Sequence, residues 1–256
     1  MKNRRGPLAV SLLLFLAATF LCQSPVFGAE SPGEAFLEGI RLYRAEEFAE
    51  AAEAFSRAAE AGEPSAGLCY NLGNAHLKAG DLGRAILWYE RGLKRDPNDP
   101  DLRFNHEYAL SLARDEQVDP TPEIVRILFF WKYRLPPKTV QWLAAGFNAL
   151  FWLALGVRMV RRRRLLNPVT GVLLVFTLLF TGTALFNYWE ARYLRTGVIL
   201  PEEVSVRSGL TEDATELFVL HAGTKVRIER EREDHLRVRY AEGKIGWVEN
   251  EAVGEI

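Results

Sequence analysis

Two cysteines and four histidines in 256 residues leave little for metal or redox chemistry. Cys22 lies in the leading apolar stretch, so removal of a leader would leave only the Cys69 thiol, and no internal disulfide is expected. Cys69 falls within a helical stretch and reads as a small packing residue rather than a nucleophile. The histidines at 76, 106, 221 and 235 are scattered, none at ligand spacing to another histidine or cysteine, and there is no glycine-rich phosphate loop. With no catalytic constellation to assemble, the chain reads as a non-enzyme without cofactor or metal. Charge is absent too from two long apolar runs, residues 140–157 and 169–189. Ionisable side chains within a bilayer mark ion paths and proton relays, so transport is not expected.

Those runs are 18 and 21 residues long, and about 20 apolar residues suffice to cross a bilayer as a helix. They read as a transmembrane helical hairpin. The connecting turn, residues 158–168, holds five arginines, and the excess of basic residues in inward-facing loops places it in the cytoplasm. Four bases before the first run, Arg126, Lys132, Arg134 and Lys138, weaken that argument; only Arg192 and Arg195 follow the second. The N-terminus supports the same orientation. Lys2, Arg4 and Arg5 precede the apolar residues 8–21, and small residues follow near Gly28 and Ala29, the build of a signal peptide over 1–28. Leu21 and Phe20 are too bulky for lipid attachment at Cys22. Whether cleaved or kept as an anchor, this segment sends residues 29–115 to the periplasmic side of an inner membrane.

Charge divides the chain in three. Residues 29–115 carry 16 acids and 10 bases, residues 126–195 carry 1 acid and 11 bases, and residues 196–256 carry 13 acids and 8 bases. Basic residues clustered around apolar spans point to phospholipid headgroups rather than nucleic acid. Residues 116–139 begin as a proline-stiffened linker and continue as an apolar, aromatic segment interrupted by cations. That segment fits a helix in the headgroup layer, with Trp131 and Tyr133 at the interface.

Residues 29–115 contain an internal repeat: Gly39 recurs as Gly73, Ala51 as Ala85, Phe55 as Tyr89 and Asn71 as Asn105, each 34 positions on. Small residues at 39, 51, 73 and 85 let two helices of a pair approach, and Phe55 and Tyr89 are expected to fill the gap to the next pair. Asp81 and the 97–100 segment supply helix starts. The second unit, with Leu72-Gly73, Ala85, Tyr89 and Pro97, resembles the tetratricopeptide repeat family; in the first, Pro64 stands one position late, and the third, residues 101–113, is a lone capping helix. Each unit alone exposes an apolar face, so two and a half repeats are expected to be marginally stable or to be helped by a partner. The resemblance implies a concave groove presenting Phe36, Ile40, Tyr43, Arg44, Tyr70, Asn71, Asn74, Leu77, Lys78, Phe104, Asn105 and Tyr108. Amides fix an extended peptide by its backbone and aromatic rings supply area, although aromatics at helical spacing equally serve as core. Phe36, Ile40 and Asp101 occupy positions where a carboxylate clamp would need cations and amides, so that specificity is not implied.

Beyond the second apolar run the period changes to two: Val204 and Val206, Val226 and Ile228, then Leu236, Val238 and Tyr240, with turn signals at Gly209, Gly223 and Gly243. Val206-Arg207-Ser208, Ala222-Gly223-Thr224 and Gly246-Trp247-Val248 resemble the bacterial SH3-like family, which implies a small β-barrel over 196–256 and a binding role without catalysis. Trp247 is the surface residue to consider, though half-buried core suits it better. The fold class expected is therefore multidomain, α plus membrane plus β. The whole order is similar to the BatE family of the bacterial aerotolerance operon. That likeness implies a membrane-anchored scaffold assembling with von Willebrand factor A-type proteins of the envelope. The alternative is a cell-wall tether or sensor binding peptidoglycan through the C-terminal domain.

Overall fold

The computed structural model describes residues 31–116, 123–161, 167–211, 213–241 and 243–256. The signal peptide expected over 1–28, residues 117–122 of the linker and residues 162–166 of the basic turn lie outside them.

Five helices open the described chain: α1 Pro32–Arg44, α2 Phe48–Glu60, α3 Ala66–Lys78, α4 Leu82–Arg95 and α5 Pro100–Leu112. Their starts are set by side chains that satisfy free backbone donors. Ser31 and Glu34 form a reciprocal capping box, Ser65 accepts from the Leu68 N–H, Asp81 from Arg84, and Asp99 from Asp101 and Leu102. A Cβ on Gly39 would collide with the Phe55 ring, and one on Gly73 with the Tyr89 ring. Each aromatic therefore first closes its own pair, a closer role than the expected bridge to the next one. Ala51, Ala85, Phe55 and Tyr89 are all buried.

Two short helices follow, α6 Glu123–Leu128 and α7 Phe130–Arg134, broken at Phe129, where the sequence suggested one interfacial helix. Then come α8 Pro137–Val160 and α9 Pro168–Tyr193, of 24 and 26 residues, both long and apolar enough to cross a membrane. Each runs past the apolar stretch at both ends. The Phe147 ring stacks on Phe176 and Phe180 at 5.1 and 5.4 Å, and the Thr177 hydroxyl donates to the Phe147 carbonyl at 3.1 Å. Trp142, Leu153, Leu178 and Leu185 point outward and are exposed, the arrangement of helices whose surroundings are apolar. Trp131 donates to the Thr183 hydroxyl at 3.1 Å and Lys132 pairs with Glu190 at 3.0 Å, which fixes α7 beside the last turns of α9.

The C-terminal part is one antiparallel sheet: β1 Arg195–Ile199, β2 Glu203–Arg207, β3 Glu216–His221, β4 Lys225–Arg232, β5 His235–Tyr240, β6 Lys244–Glu249 and β7 Val253–Glu255. Strand order is β3-β2-β6-β5-β4-β1-β7. The two end strands do not pair, so the sheet is open where a closed barrel was expected. β7 has only three residues and, among the described residues, β1 is its one strand neighbour, while β2 meets β6 at the single pair Arg207 and Trp247. Its inner face still gathers one core, including Ile199, Val206, Leu220, Leu236 and Val248.

Only Leu194 separates α9 from β1. The sheet then turns back onto the repeats. Ala85, Ile86, Leu87 and Tyr89 share a buried cluster with Val198, against which Leu200 and Ile256 pack.

Candidate functional site

The groove residues come from three helices, and the structure divides them into spent and free. On α1, Phe36 packs on Phe55 at 5.7 Å and Tyr43 meets Phe48 edge-on at 5.2 Å. Phe36, Ile40 and Tyr43 thus lean on the first repeat's core, while Arg44 is exposed. On α3, Tyr70 and Leu77 pack against the second core cluster and Lys78 is exposed. The Asn74 side-chain oxygen accepts from the Tyr89 hydroxyl at 2.7 Å and from the Asn105 amide at 2.8 Å. This bond carries α5 onto the face of α3 and uses two of the amides expected to grip a ligand. Asn71 stands half-buried beside them. On α5, Phe104 is 71% exposed and Tyr108 53%.

The groove therefore has a fixed floor and an open edge. Burial raises the Tyr43 phenol above its ordinary value, with Tyr70 adding to the shift. Burial likewise holds Tyr89 far above it, with Tyr43 and Tyr70 contributing. The Tyr43 and Tyr89 hydroxyls stay neutral at any physiological pH and serve as hydrogen-bonding groups. Nothing in this set is a nucleophile or a general base; what it offers is aromatic area, the Asn71 amide and the neutral Tyr43 hydroxyl, the means of recognising a chain by packing and backbone hydrogen bonds.

The back of the groove is held by the sheet through residues the sequence did not single out. The Asp115 carboxylate accepts from the His221 N–H at 2.8 Å and from the Thr224 hydroxyl at 2.5 Å, with His221 Nδ1 2.9 Å from its other oxygen. Burial tends to raise the Asp115 carboxyl, but the bonds from Thr224 and His221 outweigh it and hold it below the usual range. Lys225 donates to both Glu90 carboxylate oxygens at 3.0 Å, and the His106 ring lies 3.2 Å away, out of line for a hydrogen bond. Burial pushes Glu90 up, and His106 and Lys225 bring it down to about 2. Arg91 donates to the Glu255 carbonyl, and Lys94 to that of Ile256. Tyr240 donates to the Glu116 carbonyl at 2.9 Å. Two histidines that look scattered along the chain thus meet carboxylates at one seam.

Trp247 is paired with Arg207 on one side and Arg237 on the other. Directly opposite residues of antiparallel strands share a face, and Gly246 and Val248 take the buried face. Trp247 is therefore half-exposed on the outer face between two arginines, on the side of the sheet away from the core.

Residues 36–100 match the tetratricopeptide repeat family model, which covers the groove residues of α1 and α3 and stops at the start of α5. No curated protein matches the chain. Tetratricopeptide repeats are protein-interaction modules, which is the class this part of the chain defines.

Proposed function

We propose that the chain is a non-enzymatic scaffold anchored in the inner membrane of the bacterial envelope by α8 and α9, with both folded parts on the periplasmic side. It holds an extended segment of another envelope protein along the concave face of its repeats. The observation that carries this reading is the exposure of Phe104 and Tyr108 beside a floor already fixed by Asn74 and Asn105. Large rings left in water next to rigid amides have the composition of an anchor site. The similarity to BatE-like proteins names the partner class, membrane proteins with von Willebrand factor A-type domains. The test is photocrosslinking from position 71 of the membrane-embedded chain, followed by the Phe104→Ala/Tyr108→Ala variant. An envelope-protein adduct that the double variant loses supports the reading, and no adduct from intact envelopes refutes it.

A second reading makes the sheet a tether to peptidoglycan. Trp247 between Arg207 and Arg237 favours it, because an indole face and two cations suit a glycan strand bearing peptide carboxylates. Sedimentation of the full chain with purified cell wall, lost in Trp247→Ala, would support this reading; equal sedimentation of both proteins would remove it.

A further inference from the structure

Asn148 stands at the middle of α8, which runs from Pro137 to Val160. About 17 Å of helix lies on either side of it, so an α8 that crosses a membrane carries this carboxamide to the centre of the bilayer, where no water can bond it. The side chain is half-buried and, among the described residues, meets no hydrogen-bond partner. Its polar neighbours in α9 are placed differently. Thr177 donates to the Phe147 carbonyl, and Thr183 donates to the Leu179 carbonyl while accepting from Trp131.

The side of α8 that meets α9 is marked by the stacked Phe147 ring, and Asn148 lies about 100° round the helix from it. It belongs to a second row: Gln141, Ala145, Asn148, Trp152, Leu155 and Met159 follow at steps of four, three, four, three and four. That is the heptad spacing of a two-helix seam. Gln141, Ala145, Trp152 and Met159 of this row are exposed.

We infer that this row is the interface between two copies of the chain, their α8 helices side by side and each Asn148 amide donating to the side-chain oxygen of the other. The pairing rests on α8 and α9 crossing a membrane and goes beyond the scaffold reading. A second copy fits the row because both copies enter the membrane in one orientation, so the two helices run parallel and the two amides arrive at equal depth. A carboxamide is also its own complement, donor at nitrogen and acceptor at oxygen, and a two-fold axis satisfies both with one contact repeated. An asparagine within a heptad row fixes register and oligomeric state, and Ala145, one turn before it, lets the helices come close enough to bond.

Sedimentation equilibrium of the full chain in density-matched detergent micelles tests this. The chain should be a dimer that dissociates as detergent is added. Asn148→Leu leaves the Phe147 stack untouched and should weaken the dimer about tenfold or more, whereas Asn148→Gln should keep most of it. Leu185→Ala, on the outward side of α9, should leave it unchanged. A monomer at every detergent ratio, an order other than two, or a dimer equally tight in Asn148→Leu overturns the pairing. Monomers that co-purify from native membranes with a different spanning protein, and lose it in Asn148→Leu, give the face to that protein and overturn the second copy as its occupant. Release of the chain from membranes by alkaline carbonate would remove the anchor and the pairing together; a carbonate-resistant monomer would remove the pairing alone.

Discussion

Helices α2 and α4 hold the same place in successive repeats, yet among the described residues it is α4 that carries the sheet. Inward they agree: Ala51 and Phe55 in the first correspond to Ala85 and Tyr89 in the second, all buried. Outward they differ at every position of one stripe except a shared arginine. Gly83, Ile86, Leu87, Glu90, Arg91 and Lys94 of α4 face the sheet, spaced as one helical face. The positions 34 residues earlier are Ala49, Ala52, Glu53, Ser56, Arg57 and Glu60. Glu53, Arg57 and Glu60 of that set are exposed. The repeat pattern is thus kept where helices of the stack meet and abandoned where the stack ends its self-similarity and meets a different surface.

Truncating the stripe in both helices should break the symmetry most sharply. Leu87, 5% exposed, packs over Gly254, whereas Glu53 lies in solvent. Leu87→Ala is expected to cost about 2–5 kcal/mol, and Glu53→Ala about 0.5 kcal/mol or less. Denaturant unfolding of the two variants measures the difference. Asp115→Ala comes next, at about 1.5–3 kcal/mol, because it strands the His221 N–H and the buried Thr224 hydroxyl. Faster amide exchange should appear in residues 221–225 and α4 but not in α2.

A smaller effect is expected of Gly83→Ala, at about 1–3 kcal/mol. A Cβ there would collide with the Ile199 and Leu200 carbonyls. Alanine is otherwise the better helix former by about 1 kcal/mol, so a net loss in thermal melting isolates the contact. Ala49→Gly, the reverse exchange in α2, should lose only that propensity. The mildest perturbation is acid. Glu90 lies at about 2 against an ordinary 4.5, and Asp115 is shifted the same way. A depressed carboxyl stabilises the folded state above its ordinary value, and that contribution fades as pH falls through the folded one. Exchange at α4 should therefore quicken between about pH 4.5 and 2, ahead of α2, where Ser56 replaces Glu90.

The helical repeats were legible because their logic is local: a glycine under an aromatic ring within one pair forces a spacing that can be counted. The caps at Asp81 and Asp99 were equally local. Strands β2, β4 and β5 announced themselves by alternation, and β6 by its Gly246-Trp247-Val248 motif. β1, β3 and β7 did not: β1 follows the apolar helix after one residue, 217–220 is a continuous apolar run, and β7 is three residues long. Closure of a barrel depends on how the end strands meet, which no single strand encodes. In the groove, the identities of Phe104 and Tyr108 could be read, but not that Asn74 would be bound from two sides. The seam between Asp115 and His221 joins residues 106 positions apart, and its one readable trace was the change of outward stripe from α2 to α4. The second repeat's outward face is covered from within the same chain, by Val198, Leu200 and Ile256.

The single residue between α9 and β1 turns a long helix into a lever. A 26-residue helix spans about 39 Å, and Leu194 leaves no slack at its end. Arg195, the first residue of the strand, is clamped to both Glu231 and Glu255, so the hinge itself is braced. Tilt imposed on the far end is delivered as torque to β1, and from there through Val198 and Leu200 to the back of α4.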